Sequence, residues 1–286
     1  MFGLLGNRRL GLALGGGAAR GFAHLGVLKA LEDNGLIAEC VAGTSAGSAV
    51  GALYAYGYSY RDILEVADGL NWGQLAKPTV PTMGLLNPEP LEKLIDELVD
   101  GASIEDLPVP FCAIATDLVS ASELRITSGK VSKAVRASCS VPGVFVPLEY
   151  DDGVLVDGGI TNNLPTGAVR ELAGDYVVAV DLNDGLADGK VPRNIVDVIT
   201  MSLAITFERT TAHGYADADI VIRPQLAEYS YQDMNRRDEM IALGEKAALQ
   251  HISSIRRHVR RRNRTLTRPA RAGSTGSLPG RPVSDL

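Results

Sequence analysis

Gly43-Thr44-Ser45-Ala46-Gly47 decides the fold prediction for this chain, because it has the Gly-x-Ser-x-Gly spacing of a nucleophile elbow. Residues 37–42 before it are mostly apolar and strand-like, and residues 48–56 after it predict a helix of small residues. A serine on such a strand-to-helix turn has an exposed hydroxyl beside free helix N–H groups. Glycines two residues before and after it allow the sharp bend. The pattern therefore predicts a nucleophilic Ser45.

A second glycine cluster lies 28 residues upstream, in Gly15-Gly16-Gly17-Ala18-Ala19-Arg20-Gly21. It follows a short apolar run and opens a helix-like segment. The N–H groups of consecutive glycines can point at a developing oxyanion, and Arg20 would add a positive charge. The alternative is a dinucleotide-binding loop, since Gly15, Gly17 and Gly21 fit Gly-x-Gly-x-x-x-Gly. That site also needs an acidic residue at the end of the second strand, whereas Glu39 lies near its start, so we favour the oxyanion hypothesis.

Composition favours a globular enzyme. The chain has 286 residues, of which 45% are hydrophobic, and it can bury a large core in one domain or in a domain with extensions. We expect no secretory leader, and we interpret Cys40, Cys112 and Cys139 as buried free thiols in a reducing cytoplasm. Residues 40–60 are uncharged but rich in Gly, Ser and Tyr, so we predict a buried helix there and not a membrane span. Spacing typical of a metal site is absent.

Charge is strongly partitioned along the chain. Residues 1–255 hold 19 Lys and Arg against 33 Asp and Glu, a net charge of −14, whereas residues 256–286 hold nine Arg and one Asp. We therefore predict one domain over residues 1–255 and an Arg-rich tail over 256–286, disordered in about its last 20 residues. The tail is a candidate for peripheral contact with anionic membrane lipid, or else a solubilising segment that folds back on the acidic body. We expect no nucleic-acid partner.

Between these regions strand-like and helix-like runs alternate, which predicts an α/β layered fold with a mainly parallel sheet. Residues 71–90 interrupt the alternation with four prolines among Trp72, Met83, Leu85 and Leu86. An apolar, Pro-rich segment of this kind is either a lid over an apolar site or an ordinary packed connection.

A serine nucleophile needs a neighbouring base, and the sequence offers two candidates. His213 is the one histidine placed as third member of a Ser…Asp…His order, with Asp157 or Asp181 between, although its context is also typical of a structural helix end. Asp157 ends the apolar run 154–156 and precedes Gly158-Gly159, so its carboxylate can point into a site. An Asp-Gly turn without a catalytic role is the alternative.

Three motifs in this order closely resemble those of the patatin-like phospholipase family: Gly15-Gly16-Gly17-Ala18-Ala19-Arg20-Gly21, Gly43-Thr44-Ser45-Ala46-Gly47 and Asp157-Gly158-Gly159. The resemblance covers roughly residues 10–225 and includes further similar blocks: His24 with Gly26-Val27-Leu28, Arg136-Ala137-Ser138 with Val141-Pro142-Gly143, and Asn162-Asn163-Leu164-Pro165. Within the family the chain looks most like the short bacterial relatives of neuropathy target esterase. The Arg-rich tail lies outside the resemblance.

The resemblance implies a three-layer α/β/α fold and a Ser–Asp dyad, with Ser45 as nucleophile and Asp157 as base. It implies an oxyanion hole formed by Gly15, Gly16 and Gly17 with Arg20. The implied substrate is a fatty-acyl ester, a phospholipid or a lysophospholipid, cleaved without a metal or cofactor. An unperturbed aspartate is a weak base at neutral pH, so we also predict that Asp157 is desolvated. The alternatives are an esterase that uses His213, a nucleotide-binding oxidoreductase and a non-catalytic scaffold.

Overall fold

The computed structural model describes residues 8–183 and 191–259. In this part of the chain an eight-stranded sheet has the strand order β11-β10-β1-β2-β5-β9-β8, with β6 also paired to β5. The five strands from β11 to β5 are parallel, and the remaining pairs are antiparallel. A second, three-stranded sheet has the order β3-β4-β7. The strands of the two sheets are β1 Leu10–Leu14, β2 Cys40–Thr44, β3 Lys77–Pro78, β4 Gly84–Asn87, β5 Phe111–Asp117, β6 Ser122–Ile126, β7 Gly143–Phe145, β8 Leu148–Tyr150, β9 Gly153–Asp157, β10 Tyr176–Val180 and β11 Ile220–Ile222.

Helices cover both faces of this sheet, which confirms the predicted α/β/α layering. They are α1 Phe22–Asp33, α2 Ala46–Tyr56, α3 Tyr60–Ala67, α4 Trp72–Leu75, α5 Glu89–Leu98, α6 Val131–Ser138, α7 Thr166–Glu171, α8 Ile195–Gly214, α9 Arg237–Leu249 and α10 Ile252–His258. Leu10, Leu12 and Leu14 of β1 point into the larger core, with side chains of α1 and α2. The intervening Ala13 points into a second core with α7. This alternation is the period of two that a strand buried on both faces imposes.

Strand β5 brings the ends of β2 and β9 together. Thr44, the last residue of β2, is paired with Ile114, while Asp157, the last residue of β9, is paired with Ala115. Strand β6 occupies the other side of β5 over the same residues. The ends of β2 and β9 therefore meet on one side of β5 from opposite directions. This places Asp157 beside Ser45, the residue that follows Thr44.

Residues 71–90 contain more regular structure than the sequence predicts. A short helix, α4, precedes the β3–β4 hairpin, and β4 pairs in parallel with β7 to complete a three-stranded sheet. The prolines did not reveal this pairing, because the partner strand β7 comes almost 60 residues later and has only three residues. The segment is thus anchored along one edge to residues 143–145.

The predicted buried helix behind the elbow is α2, whose C-terminal residues are buried. Within the described residues, no helix combines the length and hydropathy required to cross a bilayer. Helix α10 runs to His258, three residues past the predicted domain boundary at residue 255. Residues 260–286, which hold most of the predicted Arg-rich tail, lie outside the described residues.

Helices α1 and α9 pack at a distance that only glycine permits. A Cβ on Gly26 would lie 1.9 Å from the carbonyl oxygen of Ile241, and a Cβ on Gly244 would lie 2.0 Å from that of Ala23. Both clashes involve backbone atoms, which cannot rotate away. The Gly26-Val27-Leu28 block therefore has a packing role.

We expect Gly26→Ala to destabilise the protein by at least about 2 kcal/mol, because the helices must separate to admit the methyl group. Gly167→Ala on α7 is the matched control, since its Cβ would lie 3.5 Å from Asp217 Oδ2, at ordinary contact distance. The free energy of unfolding in urea measures both variants. Equal stability of the two variants would contradict the proposed close packing.

Candidate active site

Ser45 has a strained backbone conformation at the turn between β2 and α2. Its φ of 51° and ψ of −125° lie in a region that non-glycine residues rarely adopt. The neighbouring glycines make the turn sterically feasible: a Cβ on Gly43 would lie 2.3 Å from Gly47 O, and one on Gly47 would lie 2.1 Å from Leu14 O. The turn thus has the tight geometry that the Gly-x-Ser-x-Gly spacing predicts.

Hydrogen bonds on both sides of Ser45 hold this conformation. Its N–H donates to Ser138 Oγ at 2.9 Å, and its carbonyl oxygen accepts from the Ser48 N–H at 2.8 Å and from Ser48 Oγ at 2.7 Å. Ser48 and Ser138 are both fully buried. Strain at a functional residue persists only where the surroundings fix it in this way.

The Asp157 carboxyl group is fully buried at the end of β9. Its Oδ1 accepts a hydrogen bond of 2.8 Å from the N–H of Gly159, and its main chain is held by the Ser140 carbonyl and the Thr116 hydroxyl. Among the described residues, its Oδ2 has no hydrogen-bond partner of normal geometry. One carboxylate oxygen therefore orients the side chain, and the other remains available as a proton acceptor.

Burial raises the pKa of Asp157 to about 6. The neighbouring Ser45 hydroxyl and the Gly159 N–H act in the opposite direction, because both stabilise the ionised carboxylate. The carboxyl group is desolvated, as the sequence analysis expected. A pKa near 6 makes Asp157 a stronger base than a solvated aspartate and leaves it mostly ionised at neutral pH.

The glycine loop lies directly against the elbow, since a Cβ on Gly16 would lie 3.3 Å from Ser45 Cβ. The N–H groups of Gly15 and Gly16 donate to the carbonyl oxygens of Val180 and Asn163, at 3.0 and 3.2 Å. These two donors are therefore occupied. Within the part of the chain that the structure describes, the N–H groups of Gly17 and Ala18 have no acceptor, and Ala18 has a left-handed φ of 46°.

Arg20 is buried and supports the loop from behind. Its Nε donates to the Tyr229 carbonyl at 2.8 Å, its Nη1 donates to the Leu182 carbonyl at 3.2 Å, and its guanidinium stacks over the Tyr231 ring. The side chain is not part of the cavity wall beside Ser45. Its hydrogen bonds tie the loop to two distant segments.

His24 also positions the glycine loop. The fully buried ring lies with Nε2 2.8 Å from the Gly15 carbonyl oxygen, and burial lowers the pKa of His24 to about 4 against the effect of that hydrogen bond. The ring is neutral at pH 7, so Nε2–H is the donor. Asn163 lies on the opposite side of the loop, where its Nδ2 donates to Thr211 Oγ1 at 2.9 Å.

His213 is exposed in the last turn of α8 and does not contribute to the cavity wall. Asp181, its predicted partner, is buried and accepts hydrogen bonds from Tyr215 Oη at 2.7 Å and Arg223 Nε at 3.0 Å. No hydrogen bond links His213 to Ser45, Asp157 or Asp181 among residues 8–183 and 191–259. The structure therefore brings Ser45, Asp157 and the glycine loop together, and leaves His213 apart.

An apolar cavity of about 180 Å³ opens beside Ser45. Its wall contains no charged side chain; apart from Ser45 and Cys139 it is formed by Ala18, Ala19, Gly21, Phe22, Leu25, Ala46, Ala49, Val50, Leu53, Ile63, Val66, Ala67, Leu70, Trp72, Leu75, Pro88, Leu91, Leu94, Ile95, Leu98, Val141, Phe145 and Met234. Leu53, Ile63 and Leu98 are buried at its inner end, whereas Trp72 is 36% exposed at its mouth. Residues 71–90 contribute Trp72, Leu75 and Pro88 to this wall.

Three site residues were not assigned a role from the sequence. Ser138 was noted only within a block that resembles the family, although its Oγ accepts the hydrogen bond of the Ser45 N–H. Cys139 is half-buried in the cavity wall, unlike the fully buried Cys40 and Cys112, so the prediction of three buried thiols is wrong for this one. Desolvation together with the Asp157 charge raises the pKa of its thiol to about 12. The role of Ala18 depends on which loop N–H groups are already bonded, and that information is absent from the sequence.

Comparison with known families and proteins agrees with this geometry. Residues 12–170 match the family model described as Patatin-like phospholipase. The chain is 36% identical over 186 residues to the uncharacterized NTE family protein Rv1063c of Mycobacterium tuberculosis, covering 61% of this chain and 49% of that protein. It is 29% identical to the lysophospholipase NTE1 of Pyricularia oryzae, over 87% of this chain and 19% of that protein. The chain thus spans about half, or less, of the length of these relatives.

The fold has a counterpart among solved structures. The crystal structure of VipD from Legionella pneumophila matches with a TM-score of 0.59 and 16% sequence identity, over 87% of this chain and 67% of that chain. At this identity the match concerns the fold alone.

We expect the buried His24 and Asp157 side chains to change the free energy of unfolding in opposite directions as the pH falls from 7 to 5. His24 has a lower pKa in the folded state than the unfolded 6.5, so its contribution is complete above pH 6.5 and declines on acidification, by about 2 kcal/mol at pH 5. Asp157 has a higher pKa than the unfolded 3.8, so it binds its proton first in the folded state and adds about 1 kcal/mol at pH 5.

Urea denaturation at pH 7 and pH 5 measures these contributions. His24→Gln, which keeps a donor for Gly15, should lose less stability on acidification than the wild type, and Asp157→Asn should lose more. An unchanged pH dependence in both variants would show that neither group is titrated as its burial requires.

Proposed function

The chain belongs to the patatin-like phospholipase family, and from its site we propose that it is a serine acyl hydrolase that cleaves fatty-acyl esters of phospholipids or lysophospholipids. The observation that carries this proposal is the position of Ser45. It stands on a strained turn, beside the buried carboxyl of Asp157, at the entrance of a cavity whose wall is almost wholly apolar.

Acylation begins when the Ser45 hydroxyl attacks the ester carbonyl and Asp157 Oδ2 takes its proton. The free N–H groups of Gly17 and Ala18 are the donors best placed to stabilise the oxyanion, because those of Gly15 and Gly16 are bonded to protein carbonyls. This proposal keeps Gly17 from the sequence hypothesis, and it replaces Gly15, Gly16 and Arg20 with Ala18 of the same loop. The protonated Asp157 then returns the proton to the departing alcohol, and the acyl group remains on Ser45.

Deacylation repeats these steps with water. Asp157 accepts a proton from the water as it attacks the acyl carbonyl, the same loop stabilises the second oxyanion, and Ser45 Oγ leaves with the proton. The product is a free fatty acid. Each oxyanion donor typically contributes about 10²–10³ in rate, so the conformation of the loop matters as much as the dyad.

The cavity favours an acyl chain as the bound group. Its wall follows one face of α2 from Ser45 through Ala49 to Leu53, which are spaced by one helical turn each. Eight residues of helix extend about 12 Å, so the cavity accommodates a chain of medium length from the carbonyl at Ser45 to the buried end. The name of the fungal relative, a lysophospholipase, is consistent with such a substrate.

The two enzymatic alternatives from the sequence have less support. A histidine triad requires His213 near Ser45, whereas His213 is exposed and Asp181 is bonded to Tyr215 and Arg223. A dinucleotide site requires loop N–H groups that are free to bind phosphate, and two of them are bonded within the protein.

Hydrolysis of a medium-chain p-nitrophenyl ester tests the dyad. We expect Ser45→Ala and Asp157→Asn to lower kcat by at least about 10³-fold, since nucleophile and base act together, whereas His213→Ala should stay within about twofold of the wild type. Activity retained by Asp157→Asn and lost by His213→Ala would replace the dyad with a histidine triad.

The pH dependence of the same reaction tests the role of Asp157. Only the ionised carboxylate accepts a proton, so kcat/KM should fall about tenfold per pH unit below pH 6 and level off above it, as its pKa of about 6 requires. Circular dichroism across the range distinguishes titration from unfolding. A rate that stays constant down to pH 4 would exclude a desolvated aspartate as the base.

A further inference from the structure

One face of α8 is apolar and unusually exposed. Ile195, Val198 and Ile205 are 74%, 51% and 58% exposed. With Ser202 they lie within about 80° of one another around the helix, since their spacing is i, i+3, i+7 and i+10. Within the first half of the helix, Ala204 is the one buried residue. This stripe therefore has no partner within the described residues.

Strand β7 connects α8 to the β3–β4 hairpin. Ile199 of α8 packs over β7, where a Cβ on Gly143 would lie 3.2 Å from Ile199 Cδ1. Strand β7 is in turn paired with β4, and the hairpin exposes three further apolar side chains. These are Val80 at 75%, Met83 at 48% and Leu85 at 41%. We call the six exposed side chains of α8 and the hairpin the apolar rim.

The apolar rim lies next to the mouth of the cavity. Phe145 of β7 lines the cavity, and so does the half-exposed Trp72 in the short helix that precedes β3. On the other side, Phe207 of α8 covers the Asp157 loop, since a Cβ on Gly159 would lie 2.8 Å from its ring. The rim is thus carried by elements next to the cavity: the hairpin lies between the cavity residues Leu75 and Pro88, and its strand β4 pairs with β7, whose Phe145 lines the cavity.

Charge distinguishes the rim from the rest of the surface. Residues 1–255 carry a net charge of −14, yet the segments 77–87 and 191–209 hold three cations and two acidic residues. The stripe itself continues into exposed Arg209, whereas Asp197 and Glu208 lie off it. An apolar stripe that ends in a cation is complementary to a lipid surface with phosphate head groups.

We propose that the apolar rim docks the protein on a phospholipid bilayer, with the stripe of α8 and the tip of the hairpin inserted at head-group level. The lipid partner rests on the proposed function: a substrate held in a bilayer reaches Ser45 without crossing water only if the mouth of the cavity faces that bilayer. This surface differs from the predicted Arg-rich tail. The described part of that tail ends at Val259, which is bridged to Arg8 just before β1, whereas Ser45 follows the opposite end of the parallel strands.

Flotation with vesicles of phosphatidylcholine and a minor fraction of phosphatidylglycerol tests the proposal on the full chain. Wild type and Ser45→Ala should float equally, which separates binding from hydrolysis. The double variant Ile195→Ser/Val198→Ser should bind the vesicles at least about tenfold more weakly, because it removes two apolar side chains whose transfer from water into lipid favours binding. Val80→Ser/Met83→Ser should weaken binding similarly through the hairpin.

Leu249→Ser is the matched control, because Leu249 is a 51% exposed apolar residue at the end of α9 away from the site. It should bind like the wild type. The two rim variants and Leu249→Ser should keep the wild-type rate on a soluble p-nitrophenyl ester, since none of their substituted residues lines the cavity. If the wild type does not hydrolyse the ester, the proposed hydrolase function is contradicted. The docking proposal is unaffected by that result, because flotation does not require hydrolysis.

The docking proposal fails if the wild type does not float, or if both rim variants bind as tightly as Leu249→Ser. It also fails if light scattering shows a wild-type dimer that Ile195→Ser/Val198→Ser converts to monomers, since the rim would then contact a second copy of the chain.

Discussion

The end-to-end meeting of β2 and β9 along one side of β5 is the constraint on which the site depends. Adjacent residues of β5, Ile114 and Ala115, pair with the last residues of the two strands. Ser45 and Asp157, the proposed nucleophile and base, are therefore aligned by main-chain hydrogen bonds, which have one register, rather than by flexible loops. A shift of one residue in either pairing would turn the side chain at that position to the opposite face of the sheet.

Supporting contacts then adjust each component locally. Ser138 and Ser48 hold the strained turn of Ser45, while His24, Arg20 and Asn163 hold the glycine loop from its other sides. Each of these side chains is buried, so its hydrogen bonds do not compete with bulk water.

The sequence predicted the parts of the protein that depend on local rules. The elbow needs glycine at positions 43 and 47, and the alternation of apolar runs predicted the layered fold and most elements of the sheet. It did not predict β3, β4 and β7, because their pairing is short and non-local, nor the division of the loop N–H groups between bonded and free donors. The exposed stripe of α8 was likewise hidden, since its composition alone is typical of a core helix.

Burial of the site also has a consequence for chemical selectivity. Two nucleophilic atoms, Ser45 Oγ and Cys139 Sγ, border the same cavity, and sulfur is intrinsically the better nucleophile. The low polarity that raises the pKa of Asp157 to about 6 also raises that of Cys139 to about 12. The same desolvation therefore makes Asp157 a stronger base and keeps the Cys139 thiol protonated. In the proposed reaction this directs the acyl group to the Ser45 oxygen, and the protonated thiol of Cys139 is a poor substrate for oxidation or for formation of a competing thioester.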